Sequence, residues 1–526
     1  MTVRKIFIAC AIGAPILILL LSMVWKPLFW LFLIAAPIIA LGLWDITQSK
    51  HSILRLYPVI GHFRYMLESI RPEIQQYFIE SDVDGSPINR EFRSLIYQRA
   101  KGERDTRPFG TLFDTYRAGY EWMNHSISPS HIEDHNLRVV FGEDNCAKPY
   151  AASPFNISAM SFGSLSQTAI KALNRGASKG GFAHNTGEGG ISPYHKEGGD
   201  LIWQIVTGYF GCRDDDGNFN PERFTEAADL EAVKMIEVKL SQGAKPGHGG
   251  ILPAAKLTQE IASIREVPMG KDVISPAAHT VFDTPTGLLQ FVAQLRELSG
   301  GKPVGFKLCI GDKSEFLGIC KAMVETGITP DFITVDGSEG GTGAAPVELT
   351  NSVGTPLREG LNFVHNSLRG VNMRHNIRII ASGKVFSAFH LARTLALGAD
   401  TVNSARGMML ALGCIQSRSC NNDHCPTGVA TQNPDRYMAL DVTDKSERVA
   451  RYQKAMITHL VELLEAAGLH DVSEVRPWHI IRRVNNEKTV SYADLYPSLD
   501  KGCLLDVSTV PDSWERFWRN ADANRW

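Results

Sequence analysis

Three closely spaced cysteines followed by a proline are the sharpest chemical signal in this chain. Cys414, Cys420 and Cys425 are spaced C-x5-C-x4-C, and Pro426 follows the third cysteine. Zinc sites are usually built from CxxC pairs and four ligands, which this segment does not have. A Cys-Pro ending recurs at iron–sulfur ligands, and three thiolates suit a three-iron (3Fe-4S) cluster with one ligand per iron. The spacing therefore favours such a cluster, and three buried thiols in the core are the alternative.

A second group of candidate residues lies in turns that follow short apolar segments. The turns Ser382-Gly383-Lys384 and Ser404-Ala405-Arg406-Gly407 both lead into helical patterns. Free backbone N–H groups at the start of a helix attract anions, and glycine lets the backbone approach a ligand. Together the two turns predict a phosphate-bearing cofactor, although either alone also fits an ordinary turn. Lys307 lies inside an apolar segment and needs a charge partner if it is buried; a strand-end lysine that reaches solvent is the alternative.

Eight short apolar segments, separated by helical patterns, must position these residues. The candidate strands are residues 155–159, 182–185, 235–239, 272–275, 304–308, 332–335, 377–381 and 401–403. The clearest helical patterns are residues 165–179, 285–298, 314–326 and 387–397. The alternation predicts a (β/α)8 barrel, whose active face is formed by the residues after each strand and whose phosphate site follows strands seven and eight. A doubly wound sheet is the alternative, and the lack of a dinucleotide fingerprint weakens it.

The composition excludes several classes of protein. The chain has 526 residues, with 44% hydrophobic and 21% charged residues, which excludes a mainly disordered chain and a polytopic transporter. Lys and Arg total 54 against 56 Asp and Glu, so the net charge of -2 gives no electrostatic reason to bind nucleic acid. Nine cysteines in a chain of this length do not form a disulfide scaffold.

Two uncharged segments near the N-terminus, residues 6–25 and 28–44, are long enough to cross a membrane. The basic residues that flank them are Arg4, Lys5, Lys50, His51 and Arg55. The positive-inside rule then places both flanks in the cytoplasm. We expect a hairpin in the inner (cytoplasmic) membrane, with the catalytic domain facing the cytoplasm. A cleaved signal peptide is the alternative, and the second apolar segment argues against it.

The predicted organisation has four parts. Residues 1–48 form a transmembrane hairpin anchor, and residues 49–150 form a small helical adaptor. Residues 151–440 form the (β/α)8 barrel with its iron–sulfur loop. Residues 441–526 form a C-terminal helical extension, in which an apolar face predicts one helix ending near Gly468.

Four sequence motifs resemble the FMN-binding synthase domain of glutamate synthase. They are SAMSFGSLS at 158–166, NTGEGG at 185–190, GGTGAAP at 340–346 and the cysteine segment at 413–432. The similarity covers roughly residues 150–440 and is greatest to the membrane-anchored, stand-alone proteins of the FMN-binding glutamate synthase family. It implies an FMN-binding barrel with a 3Fe-4S cluster. It also implies reduction of 2-iminoglutarate, formed from 2-oxoglutarate and ammonia, to L-glutamate.

The resemblance also implies roles for individual residues. It assigns Lys245 and Arg265 to the carboxylates of 2-oxoglutarate and Glu188 to a position near the imine. The residues it implies for FMN are Met160, Ser161, Lys307, Gly341, Ser382, Gly383, Lys384, Ser404, Ala405, Arg406 and Gly407. The residues it implies as cluster ligands are Cys414, Cys420 and Cys425.

The chain departs from the family pattern at several points. The family loop KPGEGGQ reads here from Lys245 to Ile251, with His248 in place of glutamate. Because the family's substrate-binding glutamine is missing, the sequence does not specify which keto acid is the substrate. His248 would supply protons near neutral pH or serve as a structural loop residue.

The chain also lacks the glutaminase and nicotinamide-binding signals of the large enzymes. We therefore expect ammonia or another amine from solution or a partner, and electrons from a ferredoxin-like protein or a reductase. Two alternatives stay open: an enzyme for a different imine or amine adduct, like N-methylglutamate synthase, and a non-catalytic electron-transfer subunit.

Overall fold

Short buried segments rich in β-branched and aromatic residues close into a barrel of eight parallel strands in the computed structural model, which describes residues 2–526. The strands are β1 (Phe155–Ile157), β2 (His184–Asn185), β3 (Leu201–Ile205), β4 (Val233–Lys239), β5 (Val304–Leu308), β6 (Phe332–Asp336), β7 (Arg378–Ser382) and β8 (Thr401–Ser404). They follow one another around the barrel in chain order, and β8 pairs with β1 to close it. The predicted (β/α)8 barrel is confirmed.

One of the eight predicted strands is wrong. Val273–Ile274 pairs antiparallel with Ile251–Leu252 in a separate two-stranded sheet, outside the barrel. The barrel strand that the prediction lacked is β3, which lies between β2 and β4, and all five of its residues are buried. Sequence reasoning missed β3 because two short 3-10 turns, rather than a helix, separate it from β2. The expected alternation of strand and helix is therefore interrupted at this point.

Helices surround the barrel and fill most of the crossover connections. The longer ones are Gln167–Gly180, Pro221–Ala228, Pro285–Leu298, Lys313–Thr326, Leu357–Gly370, Ala388–Ala396 and Val442–Ala466. The shorter ones are Gln259–Arg265, Val347–Ser352, Arg406–Leu412, Pro434–Tyr437 and Tyr492–Leu495. Arg90–Lys101 precedes the barrel, and Asp512–Asn520 lies near the C-terminus. Side chains that cap helix N-termini, such as Ser166, Thr284 and Ser387, explain several of the boundaries.

A small hairpin contributes to the core where several barrel strands begin. Its strands are Val139–Phe141 and Tyr150–Ala152. Phe141 is fully buried, and its ring meets the ring of Phe332 edge-on, at the first residue of β6. The same cluster includes Ile202, near the start of β3. Because parallel strands all begin at one end of the barrel, this packing leaves the carboxyl ends for a site.

The long helix Val442–Ala466 packs against Gln167–Gly180. A Cβ atom added at Gly176 would lie 2.7 Å from Val449 Cγ1, so the two helices approach too closely for a larger residue. Val449, Tyr452 and Leu460 on the long helix are fully buried. The C-terminal segment is thus part of the packing around the barrel.

Chain contacts divide the protein into two units, Met1–Arg90 and Glu91–Trp526. The elements of the first unit are Val3–Val24, Lys26–Leu31, Phe32–Thr47, Ser52–Leu56, Gly61–Ile74 and Gln75–Ile79. Within it, Val3–Val24 and Lys26–Thr47 are long and apolar enough to cross a membrane, by length and composition. The expected membrane hairpin remains a prediction.

Candidate active site

A buried cluster of opposite charges lies at the carboxyl ends of the early barrel strands. The Glu188 side chain, in the turn after β2, is 15% exposed, and Lys239 Nζ donates to its Oε2 over 2.6 Å. Burial raises the pKa of Glu188, but the charges of Lys239, Lys245 and Arg265 outweigh it and lower the pKa to about 2. Glu188 is therefore an ionised hydrogen-bond acceptor near neutral pH.

Lys245 and Arg265, both predicted from the family resemblance, lie in this cluster. Lys245 is 1% exposed, and its Nζ donates to the Ala344 carbonyl over 3.3 Å. Burial lowers the pKa of both residues, and the carboxylate of Glu188 opposes that shift. Among the described residues 2–526, the buried Nε of Arg265 has no hydrogen-bond partner. A buried donor without an acceptor is costly, so this guanidinium is suited to an anionic ligand.

The Arg265 guanidinium also connects the cluster to the turn after β1. Its Nη2 donates to Ser161 Oγ over 3.3 Å and to the Phe162 carbonyl over 3.1 Å. Met160 and Ser161 are both buried in this turn. A Cβ atom at Gly187, where φ is +67°, would lie 2.6 Å from Ser161 N, so only glycine allows the β1 and β2 turns to meet.

Sequence reasoning missed Lys239, the last residue of β4. Lys239 and Lys307 are paired in register across β4 and β5, so two lysines stand side by side in the barrel. Lys239 Nζ also donates to Gln242 Oε1 over 2.6 Å. Its place at the carboxyl end of a predicted strand was the signal that could have identified it, since such positions form the active face.

Lys307 has the buried charge partner that its sequence context requires. Its Nζ lies 3.5 Å from Asp336 Oδ2, at the end of β6. Burial lowers the pKa of Lys307, but Asp336, Glu237 and Glu188 outweigh that effect and raise it. Asp336 also accepts a hydrogen bond from the backbone N–H of Gly243, over 2.9 Å. Lys307 is thus a fixed, protonated donor among the strand ends.

Glu237 anchors a polar network in the barrel interior and is fully buried. Its Oε1 accepts hydrogen bonds from Asn185 Nδ2 over 2.8 Å and Gln204 Nε2 over 2.7 Å. Its Oε2 accepts one from Thr334 Oγ1 over 2.6 Å. Strands β2, β3, β4 and β6 therefore share one carboxylate, which positions the residues above it.

The turns after β7 and β8 bring two cations, Lys384 and Arg406, close together. Burial lowers the pKa of Lys384, and the neighbouring Arg406 lowers it further. Arg406 Nη2 donates to the Glu339 carbonyl over 2.5 Å. Within residues 2–526, neither cation forms a direct ion pair with a carboxylate. Two neighbouring cations without such a pair fit an anionic group such as a phosphate.

Small residues make up most of these two turns. Ser382 Oγ, at the end of β7, lies 3.4 Å from Ser158 Oγ, and Ser404 Oγ donates to the Val385 carbonyl over 3.1 Å. Ala405 and Gly407 follow at the start of Arg406–Leu412. A Cβ atom added at Gly341 would lie 3.0 Å from Arg406 Cδ. Gly383 precedes Lys384, whose φ of +48° is unusual for a residue with a side chain.

The loop between β4 and the two-stranded sheet contains His248 and approaches the charged cluster at Gly250. A Cβ atom at Gly250 would lie 2.8 Å from Glu188 Oε2, so this loop touches the carboxylate directly. His248 Nδ1 lies 3.0 Å from the carbonyl of Gly249. Ile251, which follows Gly250, pairs in register with Ile274 in the two-stranded sheet.

The three candidate cluster cysteines are neighbours in the structure. Burial raises the pKa of Cys414, and the charges of Cys420 and Cys425 add to that effect. Burial also acts to raise the pKa of Cys425, but the backbone N–H of Ala430 and other donors outweigh it, so the net shift is downward. Within residues 2–526, no three His, Cys, Asp or Glu side chains are arranged to hold a single metal ion.

Lys256 joins the cysteine loop to the rest of the site and was also missed from sequence. It is 2% exposed, and its Nζ donates to the carbonyls of Ser164, Cys420 and Ala430 over 2.7, 3.3 and 3.2 Å. One ammonium thus ties the turn after β1 to two parts of the cysteine loop. A lone lysine between Ile251 and Arg265 gave no pattern from which this role could be predicted.

Comparisons with known proteins identify relatives of this chain. The glutamate synthase large subunit-like protein YerD of Bacillus subtilis (strain 168) is 37% identical over 513 residues, covering 89% of this chain and 97% of YerD. The archaeal glutamate synthase (NADPH) of Methanocaldococcus jannaschii is 35% identical over 329 residues, covering 62% of this chain and 61% of that protein. This chain thus aligns with less than two thirds of the archaeal enzyme.

Among solved structures, a flavocytochrome b2 variant with pyruvate bound has a TM-score of 0.41 at 12% identity, covering 80% of this chain and 85% of that one. A mandelate oxidase variant has a TM-score of 0.43 at 14% identity, covering 74% and 96%. Residues 112–470 match the family described as the conserved region in glutamate synthase. From this match and the extent of the similarity to YerD, the chain belongs to the glutamate synthase family of oxidoreductases, which act on CH–NH2 donors.

Proposed function

We propose that this chain reduces 2-iminoglutarate, formed from 2-oxoglutarate and ammonia, to L-glutamate, using FMN and a 3Fe-4S cluster. The charge balance around Glu188 is the observation that carries this proposal. Lys239, Lys245 and Arg265 surround the single carboxylate of Glu188, so the cations outnumber the anions at this point. A dicarboxylate keto acid supplies the negative charge that such a cluster favours. The unpartnered Arg265 Nε supports the same ligand.

The residues present fit both groups. Lys384 and Arg406, with the small residues of the two turns around them, would hold the FMN phosphate, and Lys307 with Met160 and Ser161 would lie around the flavin ring. Cys414, Cys420 and Cys425 would each bind one iron, which does not require them to converge on a single ion. When bound, FMN supplies hydride chemistry and the cluster supplies single-electron transfer.

The protein's own groups would bind and orient the substrate. Lys245 and Arg265 would each hold a carboxylate, which fixes the keto acid and excludes water from between them. Glu188, ionised at neutral pH, would accept a hydrogen bond from the imine nitrogen and stabilise its positive charge. The Lys239 ammonium, 2.6 Å from Glu188 Oε2, would be a proton donor for the product nitrogen.

We also propose that the protein acts at the inner membrane with its catalytic unit in the cytoplasm. The two apolar helices of the first unit support this location. An electron-donor protein, ferredoxin-like or a reductase, would deliver electrons to the cluster. Extraction of the full chain from membranes by salt or carbonate alone would contradict the anchor.

A second candidate is reduction of a different imine, formed from another keto acid or amine. The observation that favours it is Ile251. Ile251 directly follows Gly250, and Gly250 lies against Glu188. At the position of Ile251 the family has a glutamine, so an apolar side chain replaces an amide here. A non-catalytic electron-transfer subunit is the third candidate, and the retained charged cluster argues against it.

The test uses the full chain, purified without oxygen, with its bound flavin reduced chemically. Mixing with 2-oxoglutarate and ammonium should reoxidise the flavin and form glutamate in equal amounts. Lys245→Met and Arg265→Met should keep the flavin and lose this reaction. Lys271→Met, at an exposed lysine of the same insertion, is the matched control and should react as the unaltered protein does.

Other outcomes separate the candidates. Reoxidation only by a different pair of keto acid and amine would establish the second candidate. Bound flavin that stays reduced with every pair would indicate the non-catalytic role. A purified protein without flavin would contradict the proposal as a whole.

A further inference from the structure

A helix that follows the two apolar helices exposes a continuous apolar face. In and just before Gly61–Ile74, apolar residues recur every three or four positions, which places them on one side of the helix. They are Ile60, Phe63, Met66, Leu67, Ile70 and Ile74. Phe63 is 64% exposed, Leu67 47% and Ile70 41%. We call this set the apolar face.

Most of the remaining positions of the same helix are polar or charged. Arg64 forms an ion pair with Glu68 over 2.9 Å, and both side chains are more than half exposed. By helical spacing, Arg64 and Arg71 both lie next to one edge of the apolar face. Long basic side chains at this edge are typical of helices that lie in a lipid headgroup layer, where the alkyl stem is buried and the charge stays in water.

The start of this helix is fixed to the end of the second apolar helix. Asp45, in the last turn of Phe32–Thr47, has a fully buried side chain. Its Oδ2 accepts a hydrogen bond from the backbone N–H of Val59, and its Oδ1 lies near His62 Nε2, both over 2.8 Å. If Phe32–Thr47 crosses a bilayer, Asp45 lies close to the membrane surface, and the helix then begins at the same depth.

Two further features define this joint. Val59 has a φ of +66°, which is rare for a β-branched residue and persists here with its N–H held by Asp45. A Cβ atom added at Gly61 would lie 2.9 Å from Leu54 Cδ2, so glycine permits Ser52–Leu56 to pack against the start of the helix. Specific hydrogen bonds and packing contacts thus hold the start of Gly61–Ile74 against the end of Phe32–Thr47.

We propose that Gly61–Ile74 lies along the surface of a phospholipid bilayer, with the apolar face buried at the boundary between headgroups and acyl chains. The bilayer is favoured as the occupant over a protein partner because the joint places the helix at the end of a membrane-length apolar helix. Arg64 and Arg71, at one edge of the apolar face, match a position at the headgroup layer. This inference rests on the proposed membrane anchor, and it assigns a second, separate lipid contact to the chain.

The test uses the full chain in vesicles of phosphatidylcholine and phosphatidylglycerol that contain a diazirine-bearing phosphatidylcholine. After irradiation, mass spectrometry locates the labelled residues. Labelling of Phe63 and Ile70 should exceed labelling of Glu68 and Ser69, on the polar face, by several-fold. Phe63→Ser combined with Ile70→Ser should reduce labelling of the whole helix several-fold, whereas Ser69→Ala should leave it unchanged.

The outcomes separate this inference from the anchor itself. Labels on Val3–Val24 and Phe32–Thr47 with none on the apolar face would overturn the surface helix and leave the anchor intact. Crosslinks from the apolar face to residues 91–526, or to a second copy, would show that protein covers it and would also overturn the inference. If neither the apolar helices nor the apolar face is labelled, the anchor fails as well.

Discussion

At the scale of single residues, the pairing of Lys239 with Glu188 makes the sharpest prediction. Lys239→Met would remove a charged hydrogen bond to the Glu188 carboxylate while Lys245 and Arg265 still face it, at a cost of about 1–3 kcal/mol of folding free energy. Chemical denaturation of the full chain measures it. The control is Lys234→Met on the same strand, whose side chain is 33% exposed. An equal cost for both substitutions would contradict the assigned role of Lys239.

The lowered pKa of Glu188 predicts how stability depends on pH. Its pKa of about 2 in the folded protein lies below the value near 4.3 in an unfolded chain. The unfolded chain therefore binds this proton first, so the stabilisation is complete above about pH 4.3 and is lost as the pH falls toward about 2. In Glu188→Gln, the unfolding free energy should fall less steeply with decreasing pH over that range than in the unaltered protein. Glu325→Gln, at an exposed site, should follow the unaltered protein.

The candidate site could be predicted from sequence only where a residue carried a local pattern. The turns after the last two predicted strands pointed to Ser382 and Arg406, and the family resemblance pointed to Lys245 and Arg265. Lys239 and Lys256 carry no motif, because their roles depend on partners far away in the chain. Spacing alone does not show which strand ends meet in space.

At the scale of elements, β3 matters because it supplies Gln204 to the network around Glu237. Gln204→Leu would remove one of three hydrogen bonds to a buried carboxylate, at a cost of about 1–3 kcal/mol. Gln290→Leu, at an exposed position on Pro285–Leu298, should have little effect. Equal unfolding free energies for the two variants would show that the network does not stabilise the barrel.

Lys256, in the insertion between β4 and β5, is expected to affect how well the protein retains iron. Lys256→Met removes three hydrogen bonds that hold the cysteine loop and the turn after β1. We expect the purified protein to lose iron while it keeps flavin, because the turns after β7 and β8 are not involved. The iron-to-flavin ratio measures this effect, with Lys271→Met as the control. Loss of both cofactors together would indicate general unfolding instead.

At the scale of the whole molecule, the fold was easier to predict than the identity of each strand in it. Seven of the eight predicted strands overlap a barrel strand, because buried parallel strands are short and continuously apolar. The error at 272–275 arose because an antiparallel pair in an insertion has the same apolar composition. Local composition does not distinguish the two, since the difference lies in which distant strand each one pairs with.

The division into two units makes the last prediction. All residues of the candidate site lie within Glu91–Trp526, which has its own barrel core. A shortened chain of residues 88–526 retains the start of the Arg90–Lys101 helix. It should therefore fold, bind flavin and react with keto acid and amine at the rate of the full chain, while losing its attachment to membranes. Stopped-flow flavin reoxidation of both chains in the same detergent makes the comparison. If the shortened chain bound flavin but reacted far more slowly, the first unit would contribute to catalysis, and its two apolar helices would be more than an anchor.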